Sequence, residues 1–145
     1  MKQPRLSKAA IQLREQIDDC YPNRDRRSDS GAYSDPKHRA RKSDHNPDEN
    51  GWVHAYDCDR DLHPRSKPDD MPYLVDQLRL ACKSKKENRI SYIIFDGRIC
   101  SNILNWKWRK YTGENKHDKH AHFSFKKEAA NDGAFYQIPM LGGEE

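Results

Sequence analysis

Lys116-His117-Asp118-Lys119-His120-Ala121-His122-Phe123-Ser124-Phe125 is the stretch on which the reading of this chain turns. From His120 onward polar and apolar residues alternate, the pattern of an extended strand with one face buried. Side chains at i and i+2 of a strand point the same way. His120 and His122 therefore share one face, while Ala121, Phe123 and Phe125 take the other and reach into a core. Two imidazoles on one face, with a histidine and an aspartate from elsewhere to converge on them, suit a metal site built from nitrogen and oxygen donors. Upstream, Ser43-Asp44-His45 offers the histidine, and Asp57, Asp59 and Asp61 are rival carboxylates.

Working outward, Ile90-Ser91-Tyr92-Ile93-Ile94-Phe95 is the strongest strand, and Asp96-Gly97 turns it into Arg98-Ile99-Cys100 as a hairpin. Trp52 to Asp57 reads as a shorter strand. Ser7 caps a helix that runs to about Asp19 and stops at Tyr21-Pro22-Asn23, with Ala10, Ile11, Ile17 and either Leu13 or Arg14 near one face. Asp70 caps a second helix with Pro72 in its first turn and a stripe of Leu74, Val75, Leu78 and Ala81. Arg24 to Arg41 reads as an irregular arm, and Trp106 to Lys116 as a loop rich in aromatic and basic residues. The order predicts an α+β domain, a small antiparallel sheet with two helices packed on it. The metal site would lie in a groove on the sheet. A single domain accounts for the length: residues 1–24 as an N-terminal helix, 25–126 as the core and 127–145 as a tail that carries little signal.

Ser-x-His at Ser43–His45, Ala-x-Asp at Ala55–Asp57 and His-x-His at His120–His122 together resemble the lysostaphin-type, D-Ala-D-Ala peptidase-type and hedgehog-type zinc peptidases. Within them the chain is most similar to phage-encoded relatives of the D-alanyl-D-alanine carboxypeptidase and L-alanyl-D-glutamate peptidase family. His117-x-x-His120-x-His122 also resembles the ending of penicillin-insensitive murein endopeptidases. The resemblance spans roughly residues 25–126 and implies a zinc-dependent hydrolase of peptide bonds in bacterial peptidoglycan. It implies His45, Asp57 and His122 as ligands of one zinc ion per chain, and His120 and His117 as the residues that handle protons. Trp108, Tyr111 and Arg98 are candidates for the rim of the substrate groove.

Two features depart from the relatives. Many of them place six residues between the ligand histidine and aspartate, whereas eleven separate His45 from Asp57. Pro47-Asp48-Glu49-Asn50-Gly51 are turn formers, so a protruding turn is expected to absorb the insertion. No Glu-x-x-His pair is present, so a histidine must serve as general base.

Composition bounds the rest. Apolar and charged residues each make up 34% of the chain, with a net charge of +4. A polar surface over a modest core follows, and the charge suits an anionic partner, either nucleic acid or a wall rich in anionic polymers. Peptidoglycan is the expected partner and nucleic acid is not. Cys20, Cys58, Cys82 and Cys100 lack any Cys-x-x-Cys spacing and read as free thiols. No apolar run is long enough for a membrane span, and the N-terminus lacks the apolar segment of a signal peptide. A monomer made in the host cytoplasm is expected, acting on the wall after phage-made membrane lesions release it, or carried in a virion. His38, His54 and His63 read as ordinary surface or satisfied core residues. A zinc-binding virion or interaction protein without catalysis, and a metal-dependent nuclease, are the rival expectations.

Overall fold

The computed structural model describes residues 3–31, 43–65, 67–113 and 115–143. It is an α+β fold. Strands β1 (Arg5–Leu6) and β2 (Trp52–Val53) form a small parallel pair. Strands β3 (Ala55–Asp59), β4 (Ile90–Phe95), β5 (Arg98–Ser101), β6 (Arg109–Lys110) and β7 (His120–Phe125) form an antiparallel sheet in the order β3-β7-β4-β5-β6. Helices α1 (Lys8–Cys20) and α2 (Met71–Lys83) pack on it.

The core-facing side of β7 is the predicted one: Ala121, Phe123 and Phe125 are buried with Ile93, Phe95, Leu74, Leu78, Leu13 and Ile17. Leu13, not Arg14, completes the buried stripe of α1, and the Ser7 hydroxyl accepts the Ala10 N–H at 3.3 Å as an N-cap should. Asp70 sits at the N-terminal boundary of α2, but its side chain does not cap the helix. The carboxylate is taken by His63 Nε2 at 2.8 Å, and the Asp70 carbonyl alone accepts from the first turn. Asp96 and Gly97 both have positive φ (55° and 78°), the geometry of a tight two-residue hairpin.

The predicted strand Trp52–Asp57 is broken at His54. Its N–H donates to the Asp44 carbonyl and its own carbonyl accepts from Phe125. The insertion after His45 is a tight turn held by one side chain. Asp48 Oδ1 accepts the N–H groups of Asn50 and Trp52, and Oδ2 meets His54 Nε2 at 2.8 Å.

The arm after Arg24 is ordered by a buried guanidinium as far as it is described. Arg24 binds Asp29 through both terminal nitrogens and reaches Asp18 and the Tyr56 hydroxyl. Ser30 then bridges to Asp57. His38 lies outside the described residues. The C-terminal segment is part of the core: Tyr136, Ile138 and Leu141 are buried. Gln16 of α1 fastens them, donating to the Tyr136 and Leu141 carbonyls and accepting the Tyr136 N–H. The four cysteines are free, and three of them are buried. Among the described residues no helix is long and apolar enough to cross a membrane.

Candidate metal centre

Strand register brings the centre together. Asp57 lies directly opposite His122, and Asp59 directly opposite His120. The loop carrying His45 is folded by Ser43, whose hydroxyl accepts the His45 N–H at 3.1 Å and whose carbonyl accepts that of Asn46. His117 arrives from the segment before β7 at φ 56°, with its carbonyl taken by the Asp96 N–H. His45, Asp57, His117, His120 and His122 thus form one cluster.

The Asp57 carboxylate is at its middle. Its Oδ1 is 2.8 Å from His122 Nδ1; its Oδ2 is 3.1 Å from His45 Nε2 and 3.6 Å from His120 Nε2. The rings of His117 and His120 have centroids 5.0 Å apart, and those of His117 and His122 are 5.3 Å apart. Two overlapping sets, His45/Asp57/His122 and Asp57/His117/His120, bring one donor atom per residue within 4.8 Å of one another. These groups can hold a metal ion.

Outer contacts fix the tautomers of His45 and His117. A carbonyl oxygen only accepts, so His45 Nδ1, 2.5 Å from the Gly31 carbonyl, carries a proton. His45 Nε2 is then the nitrogen aimed at Asp57. His117 Nδ1 likewise donates to the Asn115 carbonyl at 2.6 Å and leaves Nε2 as its lone-pair nitrogen. His122 faces Asp57 through Nδ1, while its Nε2 meets the Ser124 hydroxyl, which can donate or accept, at 2.8 Å. Such a partner on the far nitrogen is what orients metal-binding imidazoles. His120 Nε2 is buried with no hydrogen-bond partner among the described residues, although buried polar atoms are normally satisfied.

Electrostatics point the same way. Burial by itself would raise the Asp57 carboxyl, but the hydrogen bonds from His122 and His45 outweigh it and hold the group well below the ordinary carboxylate range. Burial opposes protonation of His45, yet the bond to Asp57 wins and its pKa rises. An imidazole between a carbonyl and a carboxylate needs positive charge on its second nitrogen, and a cation in place of that proton meets the need equally well. Burial, reinforced by the neighbouring His122 and His120, pushes His117 down to about 4 and keeps it neutral.

Asp59 and Asp61, the rival carboxylates, lie outside this cluster and form with Asp25 a separate all-carboxylate group whose oxygens also come within 4.8 Å of one another. Both oxygens of Asp59 accept backbone N–H groups, from Ser28 and from Asp61. Tyr111 borders the cluster, its ring 5.8 Å from that of His117. Trp108 and Arg98 meet each other instead, with the guanidinium 4.8 Å from the indole and the Trp108 N–H donating to Asp76 of α2.

Tyr92 belongs to the centre and was missed. It stacks on His122 at 5.6 Å and 19°, and its hydroxyl reaches Asp44 at 3.3 Å. Simple alternation puts Tyr92 on the same face as Ile90, which is core. A bulge between the two pairs Ile90 with Phe125 but Tyr92 with Ser124, moving Tyr92 to the histidine face. Ser124, two residues after His122, was legible from the same alternation that exposed the histidines. Cavities flank the cluster toward both ends of β7. One of about 470 Å³ is lined by residues including Asp44, Asn46, His54 and Tyr92; the other, of about 410 Å³, by residues including Asp59, Arg60, Asp118 and Lys119.

Compared with family models, with curated proteins and with solved structures, the chain matches none.

Proposed function

We propose that the chain is a zinc-dependent peptidase of bacterial cell-wall peptidoglycan. The observation that carries this reading is the surplus in the cluster: three donors suffice for an open metal site, and two further imidazoles stand beside them. Zinc accepts nitrogen and oxygen donors of this kind, and the Asp57 carboxylate reaches His122 Nδ1 at 2.8 Å through one oxygen and His45 Nε2 at 3.1 Å through the other. His45 Nε2, Asp57 and His122 Nδ1 would hold it. Bound there, zinc supplies carbonyl polarisation and water of lowered pKa.

The remaining residues handle protons and position the substrate. His120 Nε2, unpartnered and 3.6 Å from Asp57, takes a proton and returns it to the leaving amine. Neutral His117 presents a lone pair through Nε2 because Nδ1 is tied to Asn115. It therefore suits sharing the base role rather than donating to an oxyanion. The two cavities near the ends of β7, lined by neighbours of the cluster rather than by its own five residues, are where an extended peptide would lie.

The test is metal analysis of the purified chain, followed by chelator-treated and zinc-reloaded protein acting on purified peptidoglycan and, separately, on DNA. About one zinc per chain and zinc-dependent release of wall peptides are expected, with mass spectrometry of the fragments naming the bond. Zinc bound without hydrolysis of either material would make the chain a noncatalytic binding protein. DNA cleavage without peptide release would replace peptidase by nuclease.

A further inference from the structure

On the helix side of the sheet, away from the histidines, a cavity of about 420 Å³ opens between the end of α2 and the starts and ends of β4, β5 and β7. Lys83, Lys85 and Lys126 line it, with Asn88, Asn102 and Asn105, over a floor that includes Trp106. Its one carboxylate is already spent: Glu87 accepts the Arg89 guanidinium through both oxygens, at 2.7 and 2.9 Å. Among the described residues the three lysines carry no ion pair and the three asparagine side chains no hydrogen bond. The cavity is therefore a concentration of uncompensated positive charge and idle amide groups.

The backbone around it is strained. Leu104, Asn105 and Trp106 are consecutive non-glycine residues at φ 60°, 53° and 63°, and Lys85 on the opposite wall has φ 64°. Left-handed backbone is strained for an L-residue, and such strain concentrates where a ligand is held. The turn brings Asn102 and Asn105 to the lip and Trp106 beneath.

We infer that this cavity binds a phosphate-bearing polyol or sugar polymer, anchoring the domain to an anionic chain independently of the metal centre. Lysines meet phosphates as point charges, and the guanidinium groups around the cavity are committed elsewhere: Arg89 to Glu87, Arg79 to Asp76 and the Trp106 carbonyl, and Arg109 to Ser101 and the Ile103 carbonyl. The asparagines match hydroxyl groups. Nucleic acid is disfavoured because base binding needs an exposed aromatic face, and Trp106 is only 6% exposed. The basic Trp106–Lys110 segment thereby gains a role through its first residue.

The test is titration of the full chain with poly(glycerol phosphate) of about ten repeats, oligo-dT of equal charge and neutral dextran, over a range of salt. Poly(glycerol phosphate) is expected to bind best, more weakly as salt rises. Lys83→Gln/Lys85→Gln/Lys126→Gln should lose about tenfold or more in affinity and show a shallower salt slope. Lys8→Gln/Lys67→Gln/Lys110→Gln, which removes the same charge elsewhere, should stay within about twofold. Circular dichroism checks that both fold. Equal loss in both triple variants, dT binding as tight as the polyol phosphate, or no binding at low salt would overturn the proposal. Because zinc content and wall hydrolysis do not enter this readout, its failure is separable from failure of the peptidase reading.

Discussion

At the scale of single residues, the centre divides into side chains that would bind and side chains that would move protons. His122→Ala and Asp57→Ala each remove an inward donor, so zinc content and wall hydrolysis should fall together. Asp59→Ala should keep its zinc, since that carboxylate holds the Ser28 and Asp61 backbone. His120→Ala should keep near-normal zinc and lose about 10²–10⁴-fold in rate, the usual contribution of a general acid–base group. Zinc stoichiometry and hydrolysis rates on the four variants check this; loss of zinc in His120→Ala with retention in His122→Ala would exchange the two roles. His117 supports a pH prediction for the metal-free protein. Unfolded, its imidazole takes up a proton near the ordinary value of about 6.5, but folded only near about 4. Between these values the unfolded chain binds more protons, so this contribution is fully present above the unfolded value and falls as pH drops toward 4. Urea unfolding across that window should show the pH slope of His117→Ala reduced relative to the parent.

At the scale of elements, the turn after His45 is where an irregular insertion is made rigid. Asp48 holds two backbone N–H groups and His54, and the His54 N–H in turn ties back to the Asp44 carbonyl beside His45. Asp48→Ala leaves those donors unpaired and should cost about 1–3 kcal/mol. Zinc affinity should fall with stability, because His45 loses its support, while Glu49→Ala, at an exposed position of the same turn, should change neither. Denaturant midpoints and competitive zinc titration would separate the two variants. The bulge in β4 has comparable weight: it sends Ile90 to the core and Tyr92 to the histidines, which one uninterrupted strand cannot do.

For the whole molecule, the core is closed by its two ends. Gln16, buried in α1, carries three hydrogen bonds to residues of the C-terminal segment, and Tyr136 adds one from its hydroxyl to the Ala9 carbonyl. Gln16→Ala should destabilise the fold by about 2–4 kcal/mol and make the segment after Asp132 sensitive to protease. Undiminished stability in thermal or denaturant unfolding would show that the segment contributes little. What the sequence by itself determined is local and periodic: α1 and α2 with their apolar stripes, the Asp96-Gly97 hairpin, the alternation of β7, and a turn within the insertion. Each follows from the spacing of neighbouring side chains or the conformational demands of a turn. The bulge that redirects Tyr92, the pairing of His63 with Asp70 in place of a helix cap, and the burial of the C-terminal segment depend on partners far away in the chain. So does the register that sets Asp57 opposite His122, leaving Asp59 to the backbone. Only tertiary packing decides which distant groups meet, and with that which polar atoms remain for a ligand.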